Sequence, residues 1–381
     1  MTEHSTTGNS PGSGSAAQTA EAAGPLAGLK IVEFTGLGPG PHAAMVLADL
    51  GADVVRIDRP GRAAKSDLTA RGRRIVEADL KDPSTVESVL ELLDRADVLI
   101  EGFRPGVMER LGIGPDVVLE RNPGLIYGRI TGWGQDGPLA DRAGHDMGYI
   151  ARTGMASLIG SADSAPIPPL NLVGDFGGGS MFLVTGILAA LFERSSTGRG
   201  QVIDAAIVDG TASLAAMLWA LKDTGMWQDA RGRNFLDGSQ PSYSYYRTSD
   251  GQYLAVAPLE PQFFEELRTH LDLPEWTQKA RFDPRKFAEV HQLIAEAIAK
   301  HPLAHWTEVF DPTDACVAPV WSMEQALEDP QLKARGTYTE VDGVSQPRPA
   351  PRFSAHGRLD PRPVSKEAQP IDGIIRGWSV R

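Results

Sequence analysis

The sequence predicts an α/β protein: a Rossmann-like large domain around a parallel sheet, followed by a smaller α+β domain. Three observations lead there. Short apolar runs of strand length alternate with helical stretches from residue 29 onward, a Gly-, Asp- and Arg-rich connector at 225–238 interrupts the alternation, and a hairpin signature follows it. Residues 1–25 are mostly Ser, Thr, Gly and Ala, with no Leu, Ile, Val or Phe, and bury too little apolar surface to offset chain entropy. They are predicted to be a disordered tail. A strand at 30–34, a helix at 41–50 and a strand at 53–57 then read as a βαβ opening. Further strands are expected at 74–78, 98–101 and 125–130, with an amphipathic helix at 85–95.

A Gly/Pro-rich stretch at 132–138 leads to a helix after Gly144, and a loop around 166–169 leads to Asn171 and the run Gly174-Asp175-Phe176-Gly177-Gly178-Gly179. A long apolar helix at 180–193, a strand at 201–206 and a helix at 210–224 close this part. Beyond the connector, 243–247 and 253–257 flank the turn Ser249-Asp250-Gly251 as a β-hairpin, and helices follow at 260–271 and 286–300. The expected division is a tail at 1–25, a first part of the large domain at 26–225, a small domain at 226–325, and a segment at 326–381 returning to the large domain.

At 381 residues, 41% hydrophobic and 23% charged, the chain can bury two cores. A net charge of -12 repels phosphate backbones and argues against a nucleic-acid partner. The apolar stretch 181–192 falls short of the roughly 18 residues of a membrane span, so no such helix is expected. The one cysteine, Cys316, closes no internal disulfide and suits a reducing compartment. With neither a secretory signal, a transit peptide nor a peroxisomal C-terminus, the cytoplasm is the expected location.

Few residues invite chemistry. Gly36-Leu37-Gly38-Pro39-Gly40-Pro41 follows a strand and precedes a helix, but Pro39 and Pro41 remove backbone donors a pyrophosphate would use, so a structural turn is favoured over a nicotinamide site. Arg59, Arg62, Lys65, Arg71, Arg73 and Arg74 face a single acid, Asp67, across one short stretch. That run is either a solvated face or a cradle for several phosphates, to which Arg104 and Arg110 would add. No histidine spacing supports a metal site, and Cys316, in an apolar run, reads as a buried core thiol. His145 ends a Gly-rich loop where a helix start presents a side chain to a cleft. Asp175, between Gly174 and a Gly triplet, reads either as an N-cap or as a group facing converging backbone N–H donors.

Taken together, Gly144-His145-Asp146, Asn171-Leu172-Val173-Gly174-Asp175-Phe176-Gly177-Gly178-Gly179 and Glu260-Pro261-Gln262-Phe263, with Asp58-Arg59-Pro60 and Asp314-Ala315-Cys316-Val317, resemble the α-methylacyl-CoA racemases of the family III CoA-transferase fold group, over residues 26–352. The resemblance implies a large domain built from both chain ends, an interlocked homodimer, and an active site between the large domain of one subunit and the small domain of the other. It implies that His145 and Asp175 transfer the α-proton of an acyl-CoA thioester, with Glu260 hydrogen-bonded to the histidine. The CoA positions it implies are Arg59, Ala78, Asp79, Leu80, Lys81, Gly102, Phe103, Arg104, Arg110, Gly144, Asp146, Met147, Gly148 and Tyr149.

The implied reaction needs two bases on opposite faces of the carbon, a raised Asp175 pKa, and preformed donors for an enolate oxygen, for which Phe176 to Gly179 are candidates. No metal or redox cofactor is called for, since CoA arrives as part of the substrate. The alternatives are a family III CoA-transferase, in which Asp175 attacks the thioester and carries the acyl group, and a non-catalytic acyl-CoA binding protein. Neither needs His145. Gly148, Ser239-Gln240 and Ala257-Pro258 depart from the racemase pattern and bear on acyl specificity.

Overall fold

The structure is a computed structural model that describes residues 24–61 and 67–378. All of the predicted tail except Gly24 and Pro25 lies outside the described residues, as do Arg62 and Lys65. Gly24 itself is buried, packed so tightly on the Leu50 carbonyl that a Cβ would sit 2.2 Å from its oxygen. Gly24 and Pro25 are thus the two residues of the predicted tail that the structure describes, and Gly24 packs on the large unit.

Six parallel strands form the large sheet: β1 (Lys30–Phe34), β2 (Asp53–Asp58), β3 (Arg73–Glu77), β4 (Val98–Glu101), β5 (Ile126–Thr131) and β6 (Val202–Ala206), in the order β3-β2-β1-β4-β5-β6. The apolar residues of β1, β2, β4 and β5 alternate between two layers, as the period of two requires. Ile31, Val54 and Val98 face α1 (Pro39–Asp49) and the long helix Met181–Thr197, while Val32, Val55 and Val76 face α2 (Pro83–Leu93). The C-terminal helix Ile371–Gly377 adds Ile374, Ile375 and Trp378 to that second layer. Asp82 caps α2, accepting the Ser84 N–H at 3.1 Å, and Pro83 occupies its first turn.

After β4 come α3 (Val107–Arg110) and α4 (Pro115–Arg121), and after β5 comes α5 (Asp146–Arg152). The expected apolar helix at 180–193 is longer than predicted. A π-helical segment, Leu172–Ser180, runs directly into α6 (Met181–Thr197). The joined run Leu172–Thr197 has 26 residues, and an 18-residue window within it has a mean hydropathy of 1.5, so by length and composition it could cross a bilayer, contrary to expectation. Leu183 and Ile187 on its inner face are fully buried against the sheet. The expected helix at 210–224 is two helices, α7 (Ile207–Leu214) and α8 (Ala216–Asp223), hinged at Ala215.

The second unit contains an antiparallel sheet of β7 (Ser244–Arg247), β8 (Tyr253–Val256) and β9 (Val317–Pro319). Its core joins Tyr246, Leu254 and Val256 to Phe264 and Leu267 of α9 (Pro261–His270) and to Val290 and Ile294. The third strand and the helix Leu303–Phe310 are too short for their periodicity to stand out in the sequence.

Candidate active site

The chain leaves β1 toward β2 and β3 on one side, and later extends the sheet from β4 toward β5 and β6 on the other, so β1 and β4 meet at a topological switch point. Loops that diverge at the carboxyl ends of such strands leave a crevice. A cavity of about 200 Å³ lies there, lined by Gly36 to Pro41 after β1, Gly102 after β4, Gly132 after β5, and His145, Tyr149 and Asp175. A second cavity of about 240 Å³ shares Gly102, Gly132, Gly144, His145 and Tyr149 with it and adds Phe103, Arg104 and Arg142. The loop at 36–41, read from the sequence as a structural turn, is thus a wall of the site. Its position after the first strand of a βαβ unit is the signal that places it there.

The glycines of this wall answer to close approaches. A Cβ on Gly38, whose φ is 70°, would lie 3.1 Å from Asp175 Oδ2. At Gly132 and Gly144 a Cβ would meet the Tyr149 ring at 2.0 and 2.6 Å. Tyr149 is buried and stacks edge-on against Trp133, with ring centroids 4.7 Å apart. Burial, then the Asp175 charge, raises its phenol pKa. It forms the floor of the cavity.

His145 occupies the N-cap position of α5 with extended backbone, and its side chain makes no capping bond. The imidazole is exposed and makes no capping bond, and its charge acts on Asp175. Asp175 lies inside the π-helical segment and is not an N-cap. Such segments are rare and recur at functional sites. Its backbone N–H donates to Asp146 Oδ1 at 2.7 Å, which ties the segment to α5. Burial raises the pKa of the Asp175 carboxyl, and the Asp146 charge raises it further; a hydrogen bond from Asn171 and the charge of His145 oppose them. The donor role expected of the Phe176 N–H is corrected: that group donates to the Asn171 carbonyl at 3.2 Å within the π-helix.

The positions implied for CoA separate. Gly102, Phe103, Arg104, Gly144 and Tyr149 line the paired cavities. Arg59 is exposed just after β2, and Ala78, Asp79, Leu80 and Lys81 follow β3, so they continue along the same carboxyl edge of the sheet. From β3 to β4 that edge spans three strand spacings, about 14 Å. Arg110 is exposed and folds back over Gly106. Met147 and Gly148 are exposed on α5, while Asp146 is committed to the Asp175 backbone.

Part of the basic run serves the fold, contrary to both the solvated-face and the phosphate-cradle readings. Arg73 is buried and pairs with the fully buried Glu33 at 2.9 Å. Arg71 pairs with Asp49 at 2.5 Å and bonds Gln346 and the Pro347 carbonyl. Arg74 pairs with Asp53 at 2.5 Å and lies over Trp378. Cys316 is also corrected: it is exposed, with φ 51°, because the strand-forming residues of its run begin only at Val317.

Glu260 precedes α9, is exposed, and lies near Cys316. Neither cavity containing His145 includes it within the single chain. Of the departing positions, Gln240 is buried and bonds the Arg281 carbonyl at 3.3 Å, and Ser239 bonds the Asn234 carbonyl at 3.0 Å, so this pair shapes the second unit's interior. Ala257 instead lines a third, apolar cavity of about 650 Å³ where the two units meet, with Met155, Leu158, Val173, Leu214, Trp227 and Tyr243. Val173 stands two residues from Asp175.

The family model for CoA-transferase family III matches residues 26–373. The Alpha-methylacyl-CoA racemase of Mus musculus is 44% identical over 330 residues, covering 86% of this chain and 86% of that protein. The Homo sapiens Alpha-methylacyl-CoA racemase is 44% identical over 328 residues, with 86% of each chain covered. Among solved structures, a CAIB/BAIF family protein from Brucella suis superposes with a TM-score of 0.77 at 28% identity, covering 93% of this chain and 99% of that one.

Proposed function

The chain belongs to CoA-transferase family III, and from that premise we propose that it is an isomerase that interconverts the (R) and (S) forms of 2-methylacyl-CoA thioesters. One observation carries the reading: an exposed imidazole, His145, and a carboxyl of raised pKa, Asp175, share one cavity at the switch point. The thioester carbonyl acidifies the neighbouring C–H bond. A neutral His145 takes that proton from one face, its electron pair passes into an enolate, and a protonated Asp175 returns a proton to the opposite face. The reverse direction exchanges the two roles. A raised carboxyl pKa brings the donor closer to the imidazole range, where general acid–base catalysis is most effective. The chemistry calls for no metal or redox group, because the thioester itself stabilises the carbanion.

Arg59, Arg104 and Arg110 are proposed to meet the phosphates of CoA, with Ala78 to Lys81 and Gly102 to Phe103 supplying backbone along the sheet edge. The acyl chain is assigned to the apolar cavity behind Val173, whose walls carry few polar groups to select one chain. A homodimer completes the site, in which Glu260 hydrogen-bonds His145 of the partner subunit. The exposed apolar side chains Phe192, Met217, Trp219 and Met226, 55% to 81% accessible, support a second copy as their cover. We read Leu172–Thr197 as a core helix of a cytoplasmic protein: its inner face packs on the sheet, and its Asp175 must reach an aqueous substrate.

The test is to incubate one epimer of a 2-methylacyl-CoA with the protein in D₂O, without an acceptor acid, and to follow α-deuterium and chirality. Exchange with epimerisation that disappears in His145→Ala and Asp175→Asn is expected. Transfer of CoA to an added carboxylate, dependent on Asp175 alone and without exchange, would overturn the racemase in favour of a transferase.

A further inference from the structure

We propose that His42 is a positioning residue: it clamps the π-helical segment behind Asp175 and so fixes the direction in which that carboxyl faces the cavity. The inference deepens the racemase reading, and its catalytic arm rests on that reading. His42 lies on α1, a helix that is otherwise apolar between Pro39 and Asp49. Its ring stacks on Phe176, with centroids 4.4 Å apart and planes at 22°. Its Nδ1 shares a hydrogen bond with the Ser180 hydroxyl at 2.7 Å, and Ser180 is fully buried. One imidazole therefore grips the residue that follows Asp175 and the residue that ends the segment.

The segment needs such a grip. Between the two gripped residues lie Gly177, Gly178 and Gly179, which bring no side chains and are among the weakest helix formers. π-helical turns rarely persist on their own propensity, and other elements must hold them. Asp146 holds the Asp175 N–H from α5, and Gly178 and Gly179 rest against Thr211 and Ile207 of α7. The α1 side is held by His42. A phenylalanine there would supply the stack, so what the imidazole adds is the bond to Ser180. Burial, with the nearby charges of Arg71 and Arg73, lowers the His42 pKa. The ring is accordingly neutral at neutral pH, suited to sharing a hydrogen bond and unsuited to neutralising Asp175.

Four variants of the full chain test this: His42→Phe keeps the stack and loses the bond, His42→Asn restores a donor near the Nδ1 position, Ser180→Ala removes the partner, and the fourth combines His42→Phe with Ser180→Ala. In the deuterium-exchange assay, His42→Phe and Ser180→Ala are expected to lower kcat about fivefold to twentyfold with KM within about twofold. The double variant should be no worse than either single one, and His42→Asn should recover most of the loss. Amide hydrogen exchange, read by mass spectrometry, should quicken across 172–181 and stay unchanged across β6. Wild-type kcat in both single variants, or losses that add in the double, would overturn the clamp. If His42→Phe does not fold, the smaller Ser180→Ala change decides. If the wild-type protein exchanges no α-deuterium, the racemase reading fails, and amide exchange alone judges the clamp: unchanged protection across 172–181 refutes it.

Discussion

Gly210→Ala is the substitution from which the structure expects the most. Gly210 lies in α7, where the helix crosses the π-helical segment, and a Cβ there would stand 1.8 Å from the Gly178 carbonyl oxygen and 2.6 Å from its carbonyl carbon. Ordinary van der Waals contact starts at 3.4 Å, so the methyl needs about 1.6 Å more room, and both sides of the contact are backbone. No side-chain rotation can supply it, so α7 and the segment must separate. Overpacking of this kind costs about 1–3 kcal/mol, at the upper end where backbone opposes backbone. The displaced atom belongs to Gly178, three residues from Asp175, and a misplacement of roughly 1 Å at a reacting group costs about 10²-fold in rate. The assay pairs the thermal midpoint with kcat for α-deuterium exchange, and Gly373→Ala, with nothing within 4 Å of its Cβ, serves as the control. Gly210→Ala should lose stability and nearly all exchange, while Gly373→Ala keeps both. A Gly210→Ala protein with wild-type midpoint and rate would refute the claim that this crossing holds Asp175 in place.

Three further outcomes are expected. Because the folded-state pKa of Asp175 is raised above its ordinary 3.8, the native state binds the proton more tightly than the unfolded chain, and the ionised carboxyl weakens the fold above that window. Asp175→Asn should therefore melt higher than wild type at neutral pH, with the gap closing as pH falls through the raised pKa toward 3.8; a gap independent of pH would contradict this. Arg73→Met leaves Glu33 buried without its partner and should cost about 3–5 kcal/mol in denaturant unfolding, whereas Arg59→Met should leave stability intact and raise KM for acyl-CoA. Equal stability of the two variants would remove the distinction between structural and ligand-facing arginines. Ala257→Phe should partly fill the 650 Å³ cavity and lower kcat/KM for long branched acyl chains more than for short ones, and a uniform effect on both would place the acyl chain elsewhere.

The strand and helix pattern of the large unit was legible in the sequence because it depends on neighbours two to four residues apart. Lys30–Phe34 and Val98–Glu101 lie where alternation of apolar runs places them, and the other strands differ by a residue or so. The break at Ala215 carries no proline or glycine signal, and the glycine triplet before Met181 marks a weak point in the helix without telling that the turn before it is π-helical. The loop positions and the motif resemblance pointed to His145 and Asp175, and the structure places both on one cavity. Nothing in those motifs predicted that Asp146 would hold the Asp175 backbone, or that His42, far upstream, would stack on Phe176.

What the sequence by itself determined is the order of elements, the chemical type of the residues at the site, and the family they belong to. All of these are properties of local pattern and residue identity. What only the tertiary structure decided is which charges are spent on the fold. Arg73 looks like its neighbour Arg59 in sequence, yet it is buried against Glu33, 40 residues away, while Arg59 stays exposed on the sheet edge. The 36–41 loop likewise became a wall of the cavity only when β4 closed beside β1. Burial, and with it the raised Asp175 pKa, depends on which distant segments come together, and that is settled by packing.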